Sequence, residues 1–140
     1  MSGKRNLPSF LSDNPGLNSG LMILQYTSAS LVSSNKQYAN PSSTDSITSS
    51  NGQEDHVSMG ANGANQLRDI IDSLYDILAI ELITASQAKE YNSYKSSNII
   101  NEFIDDFRKL VSKVTNDRVL SDDIKKTVNY LRDYKIAQLL

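Results

Sequence analysis

Leu67-Arg68-Asp69-Ile70-Ile71-Asp72-Ser73-Leu74-Tyr75-Asp76-Ile77-Leu78-Ala79-Ile80-Glu81-Leu82-Ile83 is the stretch on which the fold turns. Leu67, Ile70, Ile71, Leu74, Ile77, Leu78, Leu82 and Ile83 recur at helical spacing but cover more than one stripe. A helix apolar on most of its circumference is buried in a bundle. Followed outward, the pattern predicts a long core helix over 53–91. At a rise of about 1.5 Å per residue it would be nearly 60 Å long, more than the width of a compact small domain. Its longest apolar run, Ile77-Leu78-Ala79-Ile80, ends at Glu81, so it does not span a bilayer.

Downstream, residues 92–140 read as amphipathic helices. Ile99, Ile100, Phe103, Ile104, Phe107, Leu110, Val111 and Val114 repeat at i, i+3, i+4, i+7 with charges between them. Leu120, Ile124, Val128, Leu131 and Ile136 repeat the pattern, with Ser121 as the expected cap and Asp122-Asp123 in the first turn. Upstream, residues 1–52 predict one helix over 18–38, capped by Asn18 or Ser19 after the Asn14-Pro15-Gly16 turn. A Ser-rich loop follows over 39–52, punctuated by Asn40-Pro41 and Asn51-Gly52. No segment reads convincingly as a strand, so the fold class is all-α, a long-helix bundle. The long helix is roughly twice the length of its successors, so half of it lacks partners within these residues. An apolar stripe of that size marks an interface. Either the chain oligomerises or it is part of a longer one.

Composition narrows function. All six Gly and all three Pro fall before residue 66, along with only 7 of the 30 charged residues. That uncharged Ser/Asn/Gly-rich part still carries Leu17, Leu21, Met22, Ile23 and Leu24. It suggests polar groups held in an interface or a site, where they must be hydrogen-bonded. A net charge of −2 provides no field to gather nucleic acid or an anionic membrane. The absence of Cys excludes a disulfide framework, a thiolate nucleophile and any cysteine-ligated metal, and a single His excludes a multi-His site within one chain. Met1-Ser2-Gly3-Lys4-Arg5-Asn6 is basic but has no apolar run behind it, so it is not a signal peptide. A cytoplasmic location is the expectation.

The densest chemistry lies in Asn51-Gly52-Gln53-Glu54-Asp55-His56-Val57-Ser58-Met59. Two readings stay open. Asn51 with Glu54 three residues later makes a capping box, and Asp55 suits the positive end of a helix. Alternatively Glu54 and Ser58, at i and i+4, share a helix face beside an uncharged loop. There a carboxylate partly withdrawn from water serves as a general base or holds a cationic or N–H-bearing ligand. His56 alone reads as a packing residue. Gly60, Ala61, Gly63 and Ala64 form a small-residue strip that lets another backbone come close. Asp45-Ser46 reads as an Asx-type turn and not as an activated nucleophile. Tyr91, Tyr94, Tyr130 and Tyr134 read as amphipathic packing.

Taken in order, five blocks resemble the histidine ammonia-lyase family: Leu7-Pro8-Ser9-Phe10-Leu11, Gly16 to Ile23, Ser33-Ser34-Asn35-Lys36, Asp45-Ser46-Ile47 and Gln53 to Gly60. Ala79 to Leu82 and Ala85 to Ala88 resemble its core helix, and Asp117-Arg118 with Asp122-Asp123-Ile124 its tail. The likeness fades over 92–113. It implies an all-α homotetramer of long helices whose active sites are each assembled from three subunits. It also implies elimination of ammonia from L-histidine to give trans-urocanate, through a 4-methylidene-imidazol-5-one cofactor built from an internal Ala-Ser-Gly. By the same resemblance Glu54 is catalytic and substrate-binding, in a position where the phenylalanine and tyrosine lyases carry an amide. Gln53 is substrate-binding beside it, and no metal is involved.

The chain has Ala29-Ser30-Leu31 and Ala85-Ser86-Gln87 but no Ala-Ser-Gly, and Thr48 stands where the family usually has Pro. The expectation is a C-terminal segment of such a lyase, inactive without its N-terminal part. The alternative is a non-enzymatic helical assembly module, a remnant of a split lyase.

Overall fold

The structure is a computed structural model, and it describes residues 6–93 and 95–134. Tyr94, Ile136 and the basic Met1–Arg5 stretch lie outside the described residues. Among the described residues four helices follow in order: α1 (Met22–Tyr38), α2 (Gly60–Glu90), α3 (Asn98–Leu110) and α4 (Ser121–Asp133). Short 3-10 turns at Ser42–Thr44 and Ser50–Gly52 lie between α1 and α2. Among the described residues no strand forms, only the isolated bridges Pro15–Asn18 and Ser49–Glu54. The all-α reading holds.

Two compact units divide the chain. The first comprises residues 1–28 and 75–140, the second residues 29–74. The first unit has the core: Leu11, Leu21, Leu24, Ile80, Ile83, Phe107, Val111 and Val114 are buried together. At roughly 25 cal/mol per Å² of apolar surface removed from water, each such side chain stabilises the fold by about 1.5–3 kcal/mol. Phe103, Phe107, Tyr130 and Tyr134 stack at ring-centroid separations of 5.2–5.9 Å. Tyr130 and Tyr134 therefore pack as expected. α3 begins with a true cap, the Ser97 hydroxyl accepting from Ile100 N–H at 3.4 Å.

Polar clamps complete this unit. Gln87 is fully buried, yet its Nε2 donates to Leu11 O (3.1 Å) and Val114 O (2.8 Å) while Oε1 accepts from Val114 N–H (3.1 Å). One side chain thereby ties the start of the chain to the loop after α3. Tyr91 Oη lies 3.1 Å from Leu11 O and 2.9 Å from Asp13 Oδ1. Burial first, then the bond to Asp13 and its charge, push this phenol up to about 12. Arg118 holds Asp123 at 2.9 Å and donates to the carbonyls of Lys113 and Ser112.

Two expected helix starts move. α1 begins at Met22 and not at 18, because the amides of Ser19 and Gly20 donate to the two carboxylate oxygens of Asp117 at 2.8 and 2.9 Å. Asn18 is likewise not a cap; its Oδ1 accepts from Asp117 N–H. Gly20 has φ +55°, and a Cβ there would sit 2.6 Å from Phe10 O. In α4, Ser121 is the first helical residue and Leu120 the cap position, with no side-chain cap bond.

The second unit differs in kind: no residue of 29–74 is buried. Leu67, Ile71 and Leu74, spaced 4 and 3 along its part of α2, are 43–57% exposed. That spacing is a heptad seam with nothing in its holes.

Candidate functional site

The stretch richest in chemistry does not fold as its local signals suggest. Ser50, Asn51 and Gly52 take φ of 51°, 59° and 85°, three consecutive left-handed residues. This closes a tight turn in which Ser49 N–H donates to Glu54 O (2.9 Å) and Glu54 N–H donates to Ser49 O (3.3 Å). Asn and Gly tolerate that backbone conformation well, Ser less so. With the main chain of Glu54 committed to a bridge, no capping box forms at Asn51. The long helix starts at Gly60 and not at 53, so its 31 residues span about 46 Å. Gln53 ends the 3-10 turn instead of sitting in a helical first turn, and Glu54 and Ser58 do not share a helix face.

A second pin lies on the far side of Glu54. Ser46 Oγ accepts from Val57 N–H at 2.9 Å. Residues 46–57 therefore form a loop closed twice, by Ser46–Val57 outside and Ser49–Glu54 inside. Within it Glu54 Oε2 accepts from Ser49 Oγ at 3.3 Å. Gln53, Glu54, Asp55 and His56 are all exposed, so the expected withdrawal of Glu54 from water is not present in this chain. His56 lines a cavity of about 470 Å³ with Ser42, Asp45, Ser46, Met59 and Gly60; Gln53, Glu54 and Asp55 are not among its lining residues.

The small-residue strip meets a side chain and not the backbone expected of it. Ser42 Cβ lies 3.7 Å from where a Gly63 Cβ would be, and its hydroxyl bonds Gln66 Oε1 at 2.8 Å. Ser46 is used as an acceptor for a distant amide, which replaces the Asx-type turn expected of Asp45-Ser46. Among the described residues no group of three or more His, Asp or Glu could hold a metal ion. No helix there is long and apolar enough to cross a membrane.

This arrangement presents one carboxylate on a backbone fixed from both sides, with a hydroxyl donor at its own oxygen. Such a group accepts hydrogen bonds from a cationic or N–H-bearing ligand. It cannot enclose one: every residue around it is open to solvent, so walls for a small-molecule site must come from other polypeptide. The sequence reading missed Ser46 and Ser49 as supports. Their only signal is a run of hydroxyl residues around an Asn-Gly turn, which is too common to single them out.

Comparison with known proteins gives the chain's family. Residues 1–109 match the aromatic amino acid lyase family. The chain is 47% identical over 137 residues to a histidine ammonia-lyase of Bacillus mycoides, covering 96% of this chain and 27% of that protein. A histidine ammonia-lyase of Bacillus anthracis is 46% identical over the same length. Among solved structures, histidine ammonia-lyase from Trypanosoma cruzi superposes with a TM-score of 0.89 at 37% identity, over 96% of this chain and 27% of that one. A tyrosine aminomutase from Streptomyces globisporus gives 0.84 at 33%, over 94% and 26%. The chain thus spans about a quarter of the length of the relatives it matches.

Proposed function

The chain belongs to the aromatic amino acid lyase family, and on that footing we propose that it is the C-terminal segment of a histidine ammonia-lyase. The intact protein converts L-histidine to trans-urocanate and ammonia, in the cytoplasm and as a homotetramer. The observation that carries this reading is Glu54, a carboxylate fixed on a twice-closed loop in a chain 47% identical to a histidine ammonia-lyase. Supporting the assembly are the unburied second unit and the open heptad seam of α2, which call for further polypeptide.

In this reading Glu54 accepts a hydrogen bond from the substrate imidazole, favours its cationic form and assists proton movement at the β-carbon. Gln53, beside it in the turn, contacts the substrate through its amide. The family's 4-methylidene-imidazol-5-one supplies the electrophile when present. These residues do not fit it: Ser2-Gly3 follows Met1 and Ser19-Gly20 follows Asn18, so no Ala-Ser-Gly precursor exists here, and the Ser19 and Gly20 amides are held by Asp117. The chain by itself is therefore inactive.

Glu54→Gln in the intact lyase tests the assignment. Turnover of histidine should fall by at least two orders of magnitude, about 3 kcal/mol of transition-state stabilisation, with the oligomer unchanged by gel filtration. Undiminished turnover would remove Glu54 from the site.

A further inference from the structure

We propose that Ser49 is a positioning residue for Glu54, an inference that rests on the function proposed above. A glutamate has three side-chain torsions, and an exposed one samples many rotamers that cannot reach a substrate. Here a single residue restrains both ends of it. The Ser49 main chain exchanges two hydrogen bonds with the Glu54 main chain, at 2.9 and 3.3 Å, which sets the direction in which the side chain leaves the loop. The Ser49 hydroxyl then reaches Glu54 Oε2 at 3.3 Å, which selects among the rotamers that direction allows.

The surrounding geometry serves the same end. Ser50 accepts a left-handed φ of 51°, a conformation unfavourable for a residue with a Cβ, and this lets the turn close in the space between 49 and 54. Ser46 pins Val57 from outside, so the chain leaving Glu54 is as constrained as the chain entering it. A carboxylate held this way meets an imidazole without first losing rotamer freedom, and the donated hydroxyl proton keeps one oxygen occupied while the other stays free for the ligand.

The test is a double-mutant cycle in the intact lyase, comparing Ser49→Val with the matched Ser49→Thr, each with and without Glu54→Gln. Alongside kcat and KM for histidine, affinity is titrated for 3-(imidazol-4-yl)propanoate, which has no amine to eliminate. The main-chain bridge survives either substitution, and thermal melts confirm folding.

Ser49→Val should lower kcat/KM and analogue affinity about tenfold, the ordinary worth of one hydrogen bond to a charged group. Ser49→Thr should restore both, and Ser49→Val should cost nothing more when Glu54→Gln is already in place. An undiminished cost in the Glu54→Gln background would mean that Ser49 acts independently of Glu54, and overturns the proposal. So does a silent Ser49→Val beside a damaging Glu54→Gln. A silent Glu54→Gln would instead overturn the functional reading itself.

Discussion

Replacing Gln87 by leucine keeps the size of the side chain and removes every hydrogen bond it makes. Of the three main-chain groups it serves, Leu11 O retains Tyr91 Oη at 3.1 Å, whereas Val114 N–H and Val114 O are left with no partner in a buried position. Each orphaned buried group costs about 1–3 kcal/mol. Burying an apolar leucine in place of an amide recovers roughly 1 kcal/mol. The net loss is then about 1–5 kcal/mol, a large share of the ~5–15 kcal/mol that holds a domain of this kind.

Urea denaturation followed by far-UV circular dichroism reads it directly. With a slope of about 2 kcal/mol per molar urea, the midpoint should fall by roughly 0.5–2.5 M. Hydrogen exchange at the Val114 amide should accelerate in step. Gln87→Glu is the harsher control: ionised, it turns a carboxylate toward two carbonyl oxygens, so it should destabilise more than leucine and recover partly in acid. A Gln87→Leu chain that melts at the same urea concentration, with Val114 still protected, would refute the clamp.

Gly20→Ala should destabilise by about 2 kcal/mol or more, since φ +55° disfavours a Cβ and the added atom would lie 2.6 Å from Phe10 O; a thermal melt measures it. Tyr91 and Tyr130 are both raised to about 12 from 10, so the folded state keeps these protons where the unfolded chain loses them. Their contribution is therefore constant below pH 10 and is lost as pH rises toward 12; Tyr91→Phe should flatten that alkaline decline in pH-dependent urea midpoints. Sedimentation velocity of the chain alone should show self-association, and changing Leu67 and Leu74 to Glu should reduce it by charging the α2 seam.

How far the sequence could be read depended on how local the determining forces are. α3 and α4 were legible as helices because one apolar stripe apiece, Ile99 to Leu110 and Leu120 to Leu131, sets the period. Their burial was not legible, since Ile99, Ile100 and Leu110 stay exposed and the buried residues of α4 are Asp123 and Thr127. The start of α1 was not, because the residue that claims the Ser19 and Gly20 amides is Asp117, 98 and 97 positions away. α2 shows a conflict between local signals. Asn51 and Glu54 have the spacing of a cap, but Asn51-Gly52 also has the propensity of a left-handed turn, and the turn prevails once Ser50 joins it. Gln87 carried a faint signal, an amide on the face shared by Ile80 and Ile83. For Glu54 the residues alone left a cap and a site both open, and the family resemblance favoured the site. Its dependence on Ser49 required coordinates.

The Asp117 clamp also orders events in time. During synthesis at roughly 5–20 residues per second, Ser19 waits about 5–20 s for the carboxylate that will hold it. Leu11, Leu21 and Leu24 wait comparably long for Phe107, Val111 and Val114. Throughout that interval the stretch from Leu11 to Leu24 is an apolar segment without its core. It is therefore the part of this chain that nascent-chain chaperones should engage, and they should let go only once Asp117, beyond the end of α3, has emerged.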